Sequence, residues 1–309
     1  LAANDLGLFA ALGDGPATAD ELAHRMGADA RGVAMLARAM VAAGLLRADG
    51  DFFANAQEAA AFLVPGRPGY VGGALRYATD VFPAWARLGE AVRTGRPVVP
   101  AARYLGGDAE ATRRFVHAMH ERALGAGRAI VAAVDLAGRR HLADVAGGPG
   151  TLAALLVAKT PGLRATVLDL APIVDAAREF VATMGATDRV TLRPCDVLRE
   201  SLGGPYDAML ISGLLHREDD ASCHALVRRA YAALEPGGVL YLCDMMLDAN
   251  RCGPPFVTLF ALNMLLTSEH GGAHEVEDHH RWLTQVGFRD VRAQDLPPPS
   301  PHRLIVATR

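Results

Sequence analysis

Residues 144–150 read Asp-Val-Ala-Gly-Gly-Pro-Gly, between an apolar strand-like run and a helix-like run. A second strand-like run, Arg164 to Leu168, is closed by an acid, Asp169. A glycine-rich turn at a strand's carboxyl end lets ligand and backbone approach closely, because glycine lacks a Cβ and tolerates positive φ. A carboxylate closing the next strand can accept both hydroxyl protons of a ribose, as in a βαβ nucleotide half-domain. The spelling is not the dinucleotide fingerprint: Gly147, Gly148 and Gly150 give G-G-x-G rather than G-x-G-x-x-G. Asp144, just upstream, would repel a phosphate at the lip of the loop and attract an ammonium or sulfonium group. A tight strand-to-helix turn without a ligand is the plain alternative, and the segments that follow weigh against it.

From about residue 138 the chain alternates strand and helix. Strand-like runs cover His141–Val145, Arg164–Leu168, Val190–Arg193, Ala208–Ile211 and Val239–Cys243. Helix-like runs begin near Leu152, Ile173, Asp220 and His279, and a closing hairpin pairs Arg289–Gln294 with Arg303–Thr308 around Pro297–Pro301. Such alternation predicts a mostly parallel seven-stranded sheet with ligands at the strands' carboxyl ends.

Residues 1–100 have a different grammar. Thr18-Ala-Asp-Glu21 is a capping box, and a second helix is expected over Val33–Ala43. Leu45–Ala48 and Asp51–Ala54 then flank an Asp49-Gly50 turn, giving helix, turn, helix and hairpin, a winged-helix pattern. The charges argue against nucleic acid: this stretch holds nine arginines against ten acids, and the second helix carries only Arg38. A major-groove reader needs several polar side chains and cations. An apolar helix implies burial or a protein interface instead. Residues 101–136 continue as connecting helices, so the expected domains are 1–100 and 101–309.

A net charge of −3 gives no reason to expect a polyanion partner. No apolar run reaches the roughly 20 residues of a membrane span, and no secretory signal is visible. Cys195, Cys223, Cys243 and Cys252 are scattered without a C-x-x-C pair, as free thiols of a reducing compartment would be. A cytoplasmic protein with no membrane or nucleic-acid partner is expected.

The chemistry-bearing residues cluster at predicted strand ends. Asp196 and Val197 follow the third strand-like run, with a turn carboxylate as the plain alternative for Asp196. Ile211-Ser-Gly-Leu-Leu-His216 places a histidine just past an inner strand, at the edge of the ligand crevice. Neutral imidazole there can take a phenolic proton near physiological pH. Asp244 ends the next strand, where it can hold the imidazole tautomer and stabilise the imidazolium. His270–His280 is histidine-rich, but His274-Glu275-x-x-Asp278 lacks the second histidine of H-E-x-x-H. A structural or substrate-lining role is therefore favoured over a metal.

Asp144–Gly150 with Asp169, Leu215-His216-Arg-Glu-Asp-Asp220, Leu234-Glu-Pro-Gly-Gly238 and Asp244 together resemble the S-adenosylmethionine (SAM)-dependent small-molecule O-methyltransferase family. Asp5–Leu12, Thr18–Leu22 and Ala42–Leu46 resemble that family's winged-helix dimerisation domain, so the likeness spans nearly the whole chain. It implies a winged-helix dimerisation domain followed by a Rossmann-like class I methyltransferase domain in an α/β homodimer. It further implies SAM as cofactor, S-adenosylhomocysteine as product, no metal, and a small aromatic acceptor. By the same likeness Asp144, Gly147, Gly148, Gly150, Asp169, Leu170, Asp196, Val197 and Ser212 hold the cofactor. His216 is the general base, with Asp244 and Glu275 as acids beside it. Phe115, Met119, Phe256, Phe260 and Met264 are expected to line the acceptor pocket, with core packing as the plain alternative for each. Two departures stand out: Arg217-Glu218 replaces the usual Asp-Trp after the base, and His274 falls where the second acid is usual. Carbon methylation, a non-methylating reaction, or a ligand-sensing winged-helix regulator are the competing readings.

Overall fold

The computed structural model describes residues 1–67, 69–125, 127–298 and 300–309. It divides into two compact units, Leu1–Val81 and Phe82–Arg309.

In the first unit the capping box forms as the sequence predicts. Thr18 Oγ1 accepts from the Glu21 amide at 3.3 Å, and the Glu21 carboxylate accepts from the Thr18 amide at 2.7 Å. The helix Ala19–Met26 ends at Gly27, whose φ of +61° a residue with a Cβ adopts only at a cost. Asp29 then caps the next helix, Ala30–Ala42, by accepting from the Gly32 amide. That helix begins earlier than its apolar spacing suggests because the cap precedes the first apolar residue. It buries Val33 and Ala37 and leaves Met35 exposed. A two-residue strand β1 (Ala17–Thr18) pairs with β3 (Phe52–Asn55), and β3 pairs with β2 (Leu46–Asp49), so the hairpin gains a third strand.

The second unit is built on a seven-stranded sheet in the order β6-β5-β4-β7-β8-β10-β9. These strands are β4 (His141–Val145), β5 (Arg164–Asp169), β6 (Val190–Pro194), β7 (Tyr206–Ser212), β8 (Leu234–Asp244), β9 (Arg289–Asp295) and β10 (Arg303–Thr308). Strands β4 to β8 run parallel, and β10 is antiparallel to both neighbours. The central strands are buried on both faces, so they read as continuous apolar runs. Alternate residues feed opposite cores. Ala143, Val145, Met209, Ile211, Leu240 and Leu242 pack with Leu226 and Trp282. Leu142, Val167, Leu210 and Tyr241 pack with Ile130 and Leu156.

Strand β8 starts at Leu234 rather than Val239. Its pairing with β7 shifts between Tyr206 and Ala208, which absorbs the Pro236-Gly237-Gly238 stretch. Pro299, within the expected Pro297–Pro301 loop, lies outside the described residues. Among the described residues no helix is long and apolar enough to cross a membrane. The strand order reverses at β4, with β5 on one side and β7 on the other, and a crevice outside the carboxyl ends is expected there.

Candidate active site

The loop after β4 turns on Ala146, Gly148 and Gly150, with φ of +53°, +56° and +71°. A Cβ on Gly148 would meet nothing within 4 Å, so the backbone faces open space there. A Cβ on Gly147 would stand 2.6 Å from the Asp144 carboxyl carbon. Asp144 therefore lies beneath the loop rather than at its lip, and it is 1% exposed. Among the described residues neither of its carboxylate oxygens has a partner in good hydrogen-bond geometry, and the Ala153 amide stabilises its charge only weakly. Burial, and then the charge of Asp169, lift its carboxyl to about 7. Asp169 closes β5 and accepts from the amides of Gly148 at 2.8 Å and Leu170 at 2.7 Å. Burial lifts it to about 6, against those two amides and the nearby cation of Arg217.

Two desolvated carboxylates under a glycine turn form an anionic recess that a cationic group would relieve. Each oxygen of Asp169 keeps acceptor capacity for a hydroxyl. Asp144, Asp169 and the open backbone at Gly148 thus fit a ligand carrying an amine or sulfonium and a ribose.

Asp196 follows β6 and accepts from the Leu198 amide at 3.1 Å, so it organises its own turn; Val197 beside it is buried. Ser212 ends β7 in register with Cys243. Cys195, Cys223 and Cys243 are buried free thiols, and Cys252 is exposed.

After β7 the chain makes a 3₁₀ turn, Leu215–Arg217, that carries His216. Because β8 is the parallel neighbour of β7, its last residue, Asp244, comes beside that turn. His216 Nδ1 lies 2.5 Å from Asp244 Oδ1, the His216 amide donates to Oδ2 at 3.2 Å, and the Met245 amide donates to Oδ1 at 2.7 Å. Burial opposes the charge on Asp244, but the facing imidazole and these donors hold it down at about 2. An ionised carboxylate only accepts, so in the neutral imidazole Nδ1 donates and Nε2 keeps its lone pair. His216 is 7% exposed, and the Phe260 ring stands edge-on to it at 4.8 Å.

The expectation that Glu275 joins this pair is corrected. Its carboxylate accepts from the third residue of helix Val276–Val286 and bonds Arg251 Nε. An N-cap is tied to its helix end and is not free to turn to the base. The same box, closed by Asp278, starts that helix at Val276 rather than near His279.

Of the expected pocket residues, Phe260 touches the base and Met264 is buried. Phe115 packs on Tyr104 and the Ile173–Phe180 cluster, and the sulfur of Met119 faces Arg122 at 3.9 Å. Phe256 is 56% exposed. Among the described residues no group of three or more His, Cys, Asp or Glu side chains is arranged to hold a metal ion.

Other residues were not singled out from sequence. His120 Nδ1 bonds Thr151 Oγ1 at 2.7 Å and its ring stacks on Phe180, tying helix Ala109–Gly125 to the residue after Gly150. His302 is brought near enough to feel Asp244 and His216, and burial pushes it down to about 4. No local motif marks either; a polar side chain spaced onto an apolar helix face was the signal at His120.

Residues 85–289 match the family model of the O-methyltransferase domain, and residues 1–65 match that of the O-methyltransferase dimerisation domain. The chain is 37% identical over 297 residues to the tetracenomycin polyketide synthesis 8-O-methyl transferase of Streptomyces glaucescens, covering 94% of this chain and 87% of that protein. It is 31% identical to the 3-hydroxy-5-methyl-1-naphthoate 3-O-methyltransferase of Streptomyces sahachiroi, covering 100% of this chain and 90% of the relative. The crystal structure of human N-acetylserotonin methyltransferase in complex with SAM superposes with a TM-score of 0.91 at 26% identity, covering 100% of this chain and 92% of that one.

Proposed function

The chain belongs to the SAM-dependent O-methyltransferase family, and on that premise we propose that it methylates a phenolic hydroxyl of a small aromatic natural product, with His216 as general base. One observation carries the reading: a buried imidazole whose Nδ1 is 2.5 Å from an ionised carboxylate, leaving Nε2 as the basic atom. The names of the two Streptomyces relatives support an aromatic polyketide or naphthoate acceptor.

SAM supplies, when bound, a methyl group on a sulfonium centre. Asp169 would hold the ribose hydroxyls, with Leu170 beside it. Asp144 and the backbone of Gly147, Gly148 and Gly150 would hold the methionine part. Asp196, Val197 and Ser212 would flank the adenine and the edge of the crevice. His216 Nε2 takes the acceptor's hydroxyl proton and so raises the nucleophilicity of the oxygen. Asp244 stays ionised, keeps the tautomer fixed and stabilises the imidazolium. Phe260 and Met264, with Phe115 and Met119, would orient the ring of the acceptor. Much of the rate gain comes from holding the reactants together, so loss of the base slows the reaction without abolishing it. The dimerisation-domain match supports a homodimer formed through the N-terminal unit.

The test is a mass-spectrometric methyl-transfer screen of the purified protein with SAM against naphthols, hydroxynaphthoates and hydroxyanthraquinones. One-methyl products on oxygen are expected. Methylation on carbon, or none across the panel together with no SAM affinity by calorimetry, contradicts the reading.

A further inference from the structure

The segment between helix Pro255–Thr267 and helix Val276–Val286 reaches every backbone carbonyl of the turn that carries His216. Ser268 Oγ donates to Arg217 O at 2.8 Å. The Gly272 amide donates to His216 O at 2.8 Å. His274 Nε2 lies 2.9 Å from Glu218 O and 3.2 Å from Leu215 O. Both of these partners are carbonyls, which only accept, so His274 Nε2 bears a proton and donates to both sides of the turn.

The approach is too close for a larger residue. A Cβ on Gly271 would lie 2.7 Å from the Cβ of Ser268 and 3.1 Å from His216 O. The His274 ring is itself fixed, edge-on to the Trp282 ring at 5.0 Å, and Trp282 Nε1 donates to Asp220 Oδ1 at 2.9 Å. The Cys223 thiol donates to Leu215 O as well, at 3.4 Å, and its sulfur stands 3.7 Å from His274 Nε2. His216 is thus aimed from two directions: Asp244 takes its ring, and the 268–274 segment takes the backbone beneath it.

We propose that His274 is a positioning residue of the methyl transfer, acting with Ser268 and Gly272 as a clamp on the backbone of the base-bearing turn. It occupies the place expected of a second acid and does a different job, since its proton goes to the carbonyls of residues 215 and 218 rather than to the imidazole. Without His274 the carbonyl of Leu215 keeps the Glu218 amide and the Cys223 thiol, and that of Glu218 keeps only the thiol. The turn is then held less tightly to the 268–274 segment, and the Nδ1–Asp244 bond would lose its alignment. A displacement of about 1 Å at a reacting group can cost on the order of 10²-fold in rate.

The inference rests on the reading of His216 as base, and the experiment separates the two. Proton and ¹⁵N NMR of histidine-labelled protein with bound S-adenosylhomocysteine would follow the low-field Nδ1–H signal of His216, assigned by its loss in His216→Ala. The signal is expected to broaden or vanish in His274→Phe, to return in His274→Gln, which keeps a side-chain N–H donor, and to weaken in Ser268→Ala. Calorimetric SAM affinity within about twofold of the parent establishes folding, and Ser268→Ala decides the matter if His274→Phe fails that criterion. With a phenol accepted by the parent enzyme, His274→Phe should lower kcat at least about tenfold with KM for the phenol little changed, and His274→Gln should restore most of it. A His216 signal and kcat unmoved in both His274→Phe and Ser268→Ala would overturn the clamp while leaving the base intact. A kcat unmoved in His216→Ala would overturn the base reading instead.

Discussion

The two halves of the candidate site treat their polar groups in opposite ways. At the cofactor loop, Asp144 is buried with no well-formed hydrogen bond to either oxygen among the described residues, and burial lifts Asp144 and Asp169 to about 7 and 6. At the base, Asp244 is equally buried yet meets an imidazole and two backbone amides and sits at about 2. One region stores an unmet electrostatic demand that a cationic ligand satisfies. The other is satisfied in advance, so its geometry is fixed before any acceptor arrives. Binding energy and catalytic alignment are therefore expected to respond to different mutations.

Asp244→Asn should break the aligned half most severely. An amide can offer its N–H to Nδ1 and favour the wrong tautomer, so kcat is expected to fall on the order of 10²-fold or more, with SAM affinity unchanged by calorimetry. A matching loss of SAM affinity would erase the distinction between the halves.

Asp144→Asn should break the unsatisfied half alone. From beneath the loop Asp144 acts on the cation by its charge rather than by a direct hydrogen bond, so SAM affinity should weaken about tenfold or more, about 1.4 kcal/mol. The ligand-free protein should melt no lower than its parent, because the substitution removes a charge that burial and Asp169 already disfavour. A ligand-free Tm well below the parent's would show that Asp144 holds the fold rather than the ligand.

A third expected effect is in pH. Both loop carboxylates have pKa values raised above their unfolded values, so their ionisation destabilises the ligand-free protein as pH rises through about 6 to 7. A cationic ligand binds the ionised form and relieves that penalty. SAM affinity should accordingly improve from pH 5 to 8, by up to about tenfold per unit for each carboxylate that titrates. Asp244, near 2, stays ionised throughout this window. Calorimetric titrations across it measure the slope, and a flat profile would remove the loop carboxylates from cofactor binding.

Much of this division was legible in the sequence. Continuous apolar runs and glycine turns marked the strand ends, and at or just past strand ends stand Asp144, Asp169, His216 and Asp244. Parallel neighbours then brought His216 and Asp244 together without any long-range information beyond strand order. At Glu275, position along a family pattern does not reveal a helix start. Glu275 and Asp278 have the spacing of a reciprocal cap, and that local signal outweighs the alignment that made Glu275 a catalytic acid. The role of His274 was invisible because its partners are backbone carbonyls of residues 215 and 218, which leave no trace in side-chain chemistry. His302 reaches the site through a loop between antiparallel strands, a path that no periodicity encodes.

The central claim, that His216 aligns and removes the acceptor proton without holding the cofactor, is tested most directly by single-turnover methyl transfer in His216→Ala. The measurement uses saturating SAM and the preferred phenol, beside calorimetric SAM affinity. The account predicts a rate lower by about 10²- to 10⁴-fold with SAM affinity unchanged. A rate within about twofold of the parent enzyme at full SAM occupancy would contradict it.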